Sequence, residues 1–222
     1  MIAENLQQVR DTLRPDVQLV AVSKFHPVEA LQEAYAAGQR VFGESHVQEL
    51  MAKQPVMPSD VEWHFIGHLQ TNKVKYIAPF ISLIHSADSP KLLKEIDKQG
   101  QKCGRVVDVL LQIHVAQEET KFGFTPDELL DWLKGDEWKS MGHVRIVGLM
   151  AMATNTDNEA QIAGEFETVR NLFQTVKEHH FANQPSFKTL SMGMSGDYLI
   201  AQEHGSTMVR VGSLIFGERI YL

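Results

Sequence analysis

Leu19-Val-Ala-Val-Ser-Lys24 is a short apolar run that stops on a lysine, and Pro27 follows it at the start of a helical pattern. An apolar run of this length, bounded by a turn, reads as a strand of about residues 17–24, and proline suits the first turn of a helix. Val28, Leu31, Ala34 and Tyr35 share one face of that helix before Gly38 stops it. Strand, turn and helix make one unit of an α/β fold, with the lysine at the turning point. If such units close into a barrel, the carboxyl ends of the strands form the mouth and the Lys24 amine lies in it. An amine there forms a Schiff base with a carbonyl ligand once part of it is neutral, against a reference pKa of about 10.4.

The unit recurs along the chain. A second strand at 40–43 precedes a helical run through Val47, Leu50 and Met51 that breaks at Pro55. A third, at 62–67, precedes a helix carrying Leu69, Val74 and Ile77 up to Pro79. A fourth, at 81–85, is followed by the N-cap Ser89, Pro90 and a helix with Leu92, Leu93 and Ile96 that should stop at Gly100. The run 106–115 is apolar enough to be buried on both faces, as parallel strands are, and Thr125-Pro-Asp-Glu128 is a capping box for the next helix. A sixth strand at 144–150 leads to a second capping box, Thr156 with Glu159, and to a helix with Ile162, Phe166, Val169, Phe173 and Val176 on one face. Strands at 187–191 and 208–211, with a short helix to Gly205 between them, complete the series.

Eight strands alternating with helices, without a linker or composition shift, predict a single (β/α)8 TIM barrel of the α/β class over residues 1–222. The alternative is an open doubly wound sheet, but no Gly-x-Gly-x-x-Gly follows the first strand. No full helix follows the eighth strand. Ile2, Leu6, Val9 and Leu13, at helical spacing, predict an extra N-terminal helix that fills this gap in the outer ring.

Composition narrows the partners. The net charge of -7 and the absence of a dense Lys/Arg block argue against a general nucleic-acid or anionic-membrane surface, and Lys91, Lys94 and Lys98 read as one solvated helix face. Cys103 is the single cysteine, which leaves no intramolecular disulfide framework and no thiol set for zinc. The first residues lack a basic segment with an apolar core, and no run reaches the ~18 apolar residues of a membrane span. The expectation is a cytoplasmic protein with neither export signal nor anchor.

Loops after the seventh and eighth strands of such barrels often hold phosphate. Ser191, Gly193, Ser195 and Gly196 stand after the seventh strand, and Gly212 and Ser213 after the eighth. Backbone N–H groups and seryl hydroxyls there can converge on an anion. Asp197 should point away from it and stabilise the start of the following helix. A phosphate grip opposite a lysine describes the two attachments that pyridoxal 5'-phosphate needs.

The motifs Val20-Ala-Val-Ser-Lys24, Phe42-Gly-Glu44 with Gln48-Glu49, Trp63-His-Phe-Ile-Gly-His-Leu-Gln70 with Asn72-Lys73, Lys121-Phe-Gly-Phe124, Gly148-Leu-Met150, Ser191-Met-Gly-Met-Ser195 and Phe216-Gly217 run in order over nearly the whole chain. In this series the chain resembles the YggS/PROSC family of pyridoxal phosphate homeostasis proteins. The resemblance implies a barrel like the N-terminal domain of alanine racemase, with the cofactor held as an aldimine on Lys24. It also implies phosphate contacts from Gly193, Ser195, Gly212 and Ser213, and Arg219 facing the pyridine nitrogen. A guanidinium there disfavours ring protonation and makes the ring a poorer electron sink. One departure is Gly43-Glu44-Ser45-His46, where the family has Gly-Glu-Asn-Tyr; Ser45 offers a shorter hydroxyl in place of the asparagine amide.

His64, His85 and His114 lack the spacing of a metal set and read as core or rim histidines. Met150, Met152, Met192, Met194 and Met208 gather near strand ends, where packing is the default and a place on a cavity wall the alternative; Trp132 and Trp138 should pack on the barrel. The resemblance implies a protein that holds, buffers or passes on pyridoxal 5'-phosphate in vitamin B6 homeostasis, acting as a monomer, with free amino acids or cofactor-recipient enzymes as further partners. The rival is a low-activity amino-acid racemase or related aldimine enzyme, though two-base racemisation needs an acid/base group from a second domain that 222 residues do not accommodate. A third reading is a lysine-imine aldolase acting on a phosphosugar.

Overall fold

Eight short parallel strands pair in chain order and the first closes on the last: β1 (Gln18–Val22), β2 (Val41–Glu44), β3 (Glu62–Phe65), β4 (Leu83–Ala87), β5 (Val107–His114), β6 (Val144–Met152), β7 (Thr189–Ser191) and β8 (Met208–Val211). Closure is in register from Gln18 opposite Met208 to Ala21 opposite Val211. The computed structural model describes residues 1–119 and 122–218; Lys121 and Arg219 lie outside the described residues.

Helices cover the barrel between strands: α2 (Val28–Ala36), α3 (Val47–Lys53), α4 (Val74–Ile77), α5 (Pro90–Cys103), α6 (Pro126–Lys134) and α7 (Glu159–His180), then the short α8 (Tyr198–Glu203) and α9 (Ser213–Phe216). Local chemistry starts them where expected at Ser89, whose hydroxyl accepts from Leu92 N, and at Thr125, which forms a full capping box with Glu128. Several boundaries differ from the sequence reading, those of α5 and α7 among them. α5 runs through Gly100 and ends at Gly104, which has φ +65°; Gly100 is small because a Cβ there would come within 2.9 Å of the Arg105 and His143 carbonyl oxygens. The N-cap of α7 is Asn158, which accepts from Gln161 N, while Thr156 Oγ1 takes the Asn158 N–H and tightens the preceding turn. The seventh strand is also shorter than expected, because Phe187 leaves it to stack between Phe173 and Phe181.

The additional helix α1 (Ile2–Asp11) buries Leu6 and Val9. It completes the ring through Asn5 Nδ2 to Ile215 O, Arg10 Nη1 to Ala37 O and Thr12 Oγ1 with the Tyr198 hydroxyl. Trp138 packs on Phe181 and Trp132 stacks on Phe124, both against the outer core.

Alternation along each strand divides the core in two. Outward residues pack under the helices. Inward ones, Val20, Val41, Leu83, Leu110, Val147, Met150 and Met208, fill the lower barrel. A bulge in β6 shifts the register between Ile146 and Gly148, and β7 comes so close that a Cβ on Gly148 would lie 1.7 Å from Thr189 O.

One step further along β3, β4, β7 and β8, the interior turns polar. Arg210 donates to Ser191 Oγ and, at 3.1 Å, to Ala151 O; Ser191 Oγ lies 3.0 Å from His85 Nδ1, and His85 Nε2 lies 2.9 Å from His64 Nδ1. Arginine only donates, so the bonds are consistent when the Ser191 hydroxyl donates to His85 Nδ1 and the His85 Nε2–H donates to His64 Nδ1. Burial holds both imidazoles neutral: it brings His64 down to about 3 and His85 well below the usual histidine range, with the Arg210 charge contributing to the second.

Two predictions follow from this packing. Gly148→Ala should cost several kcal/mol, on the order of 3 or more by the steric collision, whereas Gly164→Ala, exposed in α7 with open space around it, should gain about 0.5–1 kcal/mol; urea denaturation of both variants checks the pair. The depressed His64 pKa means that the unfolded chain takes a proton below about pH 6.5 that the folded chain refuses until about 3, so stability falls with pH across that window. The stability difference between the parent and His64→Gln should therefore narrow by about 2 kcal/mol from about pH 7.5 to 5.0, and a difference independent of pH would refute the assignment.

Candidate functional site

At the carboxyl ends of the strands the barrel opens into a cavity of about 240 Å³. Its apolar wall is Val22, Ile66, Met152 and Met194, and its polar wall is Lys24, His26, Ser45, Arg210, Ser195, Gly196, Gly212 and Ser213. Lys24 arrives from the turn after β1, Ser45 from the turn after β2, and the serines and glycines from the turns after β7 and β8. The two latter turns are tied together, since Gly212 N donates to Ser195 Oγ at 3.2 Å.

Of the residues expected here from sequence, the fold brings Lys24, Ser195, Gly212 and Ser213 to one cavity. Ser191 is placed elsewhere. It is fully buried beneath the cavity, with its hydroxyl engaged by Arg210 and His85, because it falls on an inward position of β7 one level below the mouth. Gly193 is also off the cavity wall. With φ +97° it packs against α8, where a Cβ would come 2.6 Å from Ala201 Cβ, and its carbonyl accepts from Arg210 N. Asp197 does not cap α8 with its side chain; its Oδ1 instead accepts from Met194 N at 2.6 Å and closes the turn that presents Ser195.

Among the described residues, the arginine facing the cavity is Arg210. Only 3% exposed, it is bonded on its lower side to Ser191 and Ala151. Burial lowers its pKa to about 10, with the Asp197 charge opposing the shift, so it remains a cation at neutral pH. The sequence reading passed over it. Its signal was a lone charged residue in the strand Met208-Val-Arg-Val211, two positions from an inward methionine and therefore inward itself. The strand methionines follow the same rule, Met150 and Met208 filling the barrel and Met152 reaching the cavity; beyond β7, Met192 joins the outer core and Met194 reaches the cavity from the turn.

Behind Lys24, on the helix side of the sheet, lies a buried charge cluster. Lys53 Nζ donates to Glu44 Oε1 at 2.8 Å, Glu49 Oε1 at 2.6 Å and Ser23 O at 2.8 Å. Ser23 Oγ donates to Glu44 Oε1 at 2.6 Å. Burial raises the Glu44 carboxyl to about 7 against the pull of Lys53 and Ser23. His114 bonds the carbonyls of Ala116 and Glu118 at the end of β5. Among the described residues, no group of three His, Cys, Asp or Glu side chains is placed to hold a metal, and no helix is long and apolar enough to cross a membrane.

With this geometry established, comparisons with known proteins place the chain. Residues 1–220 match the family model described as alanine racemase, N-terminal domain. The pyridoxal phosphate homeostasis protein of Aquifex aeolicus (strain VF5) is 40% identical over 205 residues, covering 92% of this chain and 88% of its own. That of Pasteurella multocida (strain Pm70) is 39% identical over 228 residues, covering 99% and 95%. The solved structure of PipY from Synechococcus elongatus PCC7942 with PLP bound superposes with a TM-score of 0.89 at 38% identity, over 98% of this chain and all of that one. The chain belongs to the alanine racemase N-terminal domain family and, within it, to the pyridoxal phosphate homeostasis proteins.

Proposed function

We propose that this chain binds pyridoxal 5'-phosphate at the mouth of its barrel and holds it for release to other proteins, as a monomer in the cytoplasm. The observation that carries the reading is the gathering of Lys24, Arg210, Ser195, Gly212 and Ser213 around one cavity. Each part of the cofactor meets suitable chemistry there. Lys24 Nζ would hold the aldehyde carbon, and the cofactor would supply reversible imine chemistry there, with water as the group released. The turns after β7 and β8 present two seryl hydroxyls and backbone donors for the phosphate. Val22, Ile66, Met152 and Met194 give an apolar bed for the ring, and Ser45 adds a hydroxyl at the rim.

Arg210 adds a second guanidinium to the expected set; Arg219, which the family resemblance places at the pyridine nitrogen, lies outside the described residues. The Arg210 guanidinium is fixed from below and remains charged, so it would keep a ring nitrogen that faced it unprotonated. That weakens the ring as an electron sink and favours holding the cofactor over turning over amino acids. The relatives named as homeostasis proteins and the PLP-bound PipY structure support the same reading. His26, on the cavity wall two residues from Lys24, is the observation that favours the rival, slow amino-acid turnover.

Borohydride reduction of the protein incubated with pyridoxal 5'-phosphate, followed by peptide mass spectrometry, should place the pyridoxyl adduct on Lys24, and Lys24→Ala should abolish it. An adduct elsewhere overturns the reading. Ser195→Ala should weaken cofactor binding by roughly tenfold, the loss of one hydrogen bond to a charged group, measured by absorbance titration. Racemisation assays on several amino acids against the Lys24→Ala control decide between holding and turnover.

A further inference from the structure

The two peptide groups that flank Lys24 are both gripped by one ion pair. The Ser23 carbonyl, on the peptide leading into Lys24, accepts from Lys53 Nζ at 2.8 Å. The Phe25 N–H, on the peptide leading out, donates to Glu49 Oε1 at 2.6 Å. Lys53 and Glu49 are themselves joined at 2.6 Å, four residues apart on α3. Glu44, fully buried at the end of β2, is the second carboxyl on Lys53 and accepts a hydrogen bond from the Ser23 hydroxyl.

A lysine amine sits at the end of four rotatable side-chain bonds, and its aim depends first on the direction of its Cα–Cβ bond. That direction is set by the two peptide planes around Cα, and here both are pinned from the side of the sheet away from the cavity. The backbone needs such support. Phe25 has φ +64°, a left-handed conformation unfavourable for a side-chain-bearing residue and, among the described residues, found at no other residue except glycines. This turn throws Lys24 toward the mouth instead of letting the strand run on. A general structural brace would not require a buried cation between two carboxylates, since a well-packed apolar group of similar size costs less to bury.

We infer that Lys53 and Glu49, backed by Glu44, form a positioning clamp that fixes the backbone on both sides of Lys24 and so aims its amine at the carbonyl carbon of the bound cofactor. The inference rests on the proposed cofactor reading and extends it to residues that do not touch the cofactor. Misaiming the amine should penalise the covalent bond and leave the phosphate and ring contacts intact.

The test compares an aldehyde with an alcohol. In the full chain, Lys53→Met, Glu49→Ala and Glu49→Gln are titrated with pyridoxal 5'-phosphate and with pyridoxine 5'-phosphate, which carries the same ring and phosphate but no carbonyl. Lys53→Met and Glu49→Ala should lose about tenfold or more in aldehyde affinity and in the rate of adduct formation, while the alcohol binds within about twofold of the parent. Glu49→Gln keeps an acceptor for Phe25 N–H and should fall between the parent and Glu49→Ala. Amide exchange at Phe25, followed in the cofactor-free chain, should accelerate in Glu49→Ala and less in Glu49→Gln. Equal losses for both ligands would mark the cluster as a general brace and overturn the clamp, as would unchanged aldehyde binding or unchanged Phe25 exchange. Failure of the parent to form an adduct on Lys24 overturns the cofactor reading itself, and the clamp's purpose with it.

Discussion

A guanidinium inside a β-barrel must be satisfied on every side, and Arg210 shows how much structure that demand organises. Its partners Ser191 Oγ and Ala151 O come from β7 and β6. Ser191 in turn engages His85 on β4, and His85 engages His64 on β3. One cation at the floor of the cavity thus links four other strands through hydrogen bonds that run across the interior of the barrel. Leaving any of these groups unpaired in so dry a place would cost more than the bond itself is worth. The neutral histidines are part of the same solution, because a second positive charge beside Arg210 would be costly to bury.

The opposite side of the cavity is organised by a second buried cation, but outside the barrel wall. Lys53 lies between sheet and helix and is paired with Glu44 and Glu49. The two clusters divide the work around the mouth. The interior column presents a fixed positive charge to the cavity, whereas the outer cluster holds the backbone from which Lys24 departs. Between them the turns after β7 and β8 are held by Gly193 in its left-handed conformation, by the bond from Met194 N to Asp197 Oδ1 and by the bond from Gly212 N to Ser195 Oγ.

The barrel was legible because its signals are local. Proline and glycine punctuation, the capping residues Ser89 and Thr125, and the helical faces of α2, α5 and α7 can each be read within a dozen residues. Where local signals competed, the boundaries moved. Thr156 and Asn158 both offer an N-cap oxygen, and the choice fell to the packing of α7; Gly100 looks like a helix stop until the backbone it lies against is known. The short β7 was misjudged for the same reason, since the stacking partners of Phe187 are distant in sequence.

By itself the sequence determined the succession of eight strand–helix units, the place of Lys24 at the end of the first strand, and the turns carrying Ser195 and Gly212-Ser213, all of which follow from short-range periodicity and turn chemistry. Tertiary structure alone decided that Arg210 faces the cavity, that Ser191 lies beneath it holding that arginine, and that Lys53 and Glu49 reach the peptide groups on either side of Lys24. The physical reason is the phase of alternation. Strands of a parallel barrel are apolar on both faces, so the sequence carries little record of which residues turn inward and which turn toward the helices, and only closure of the barrel sets it.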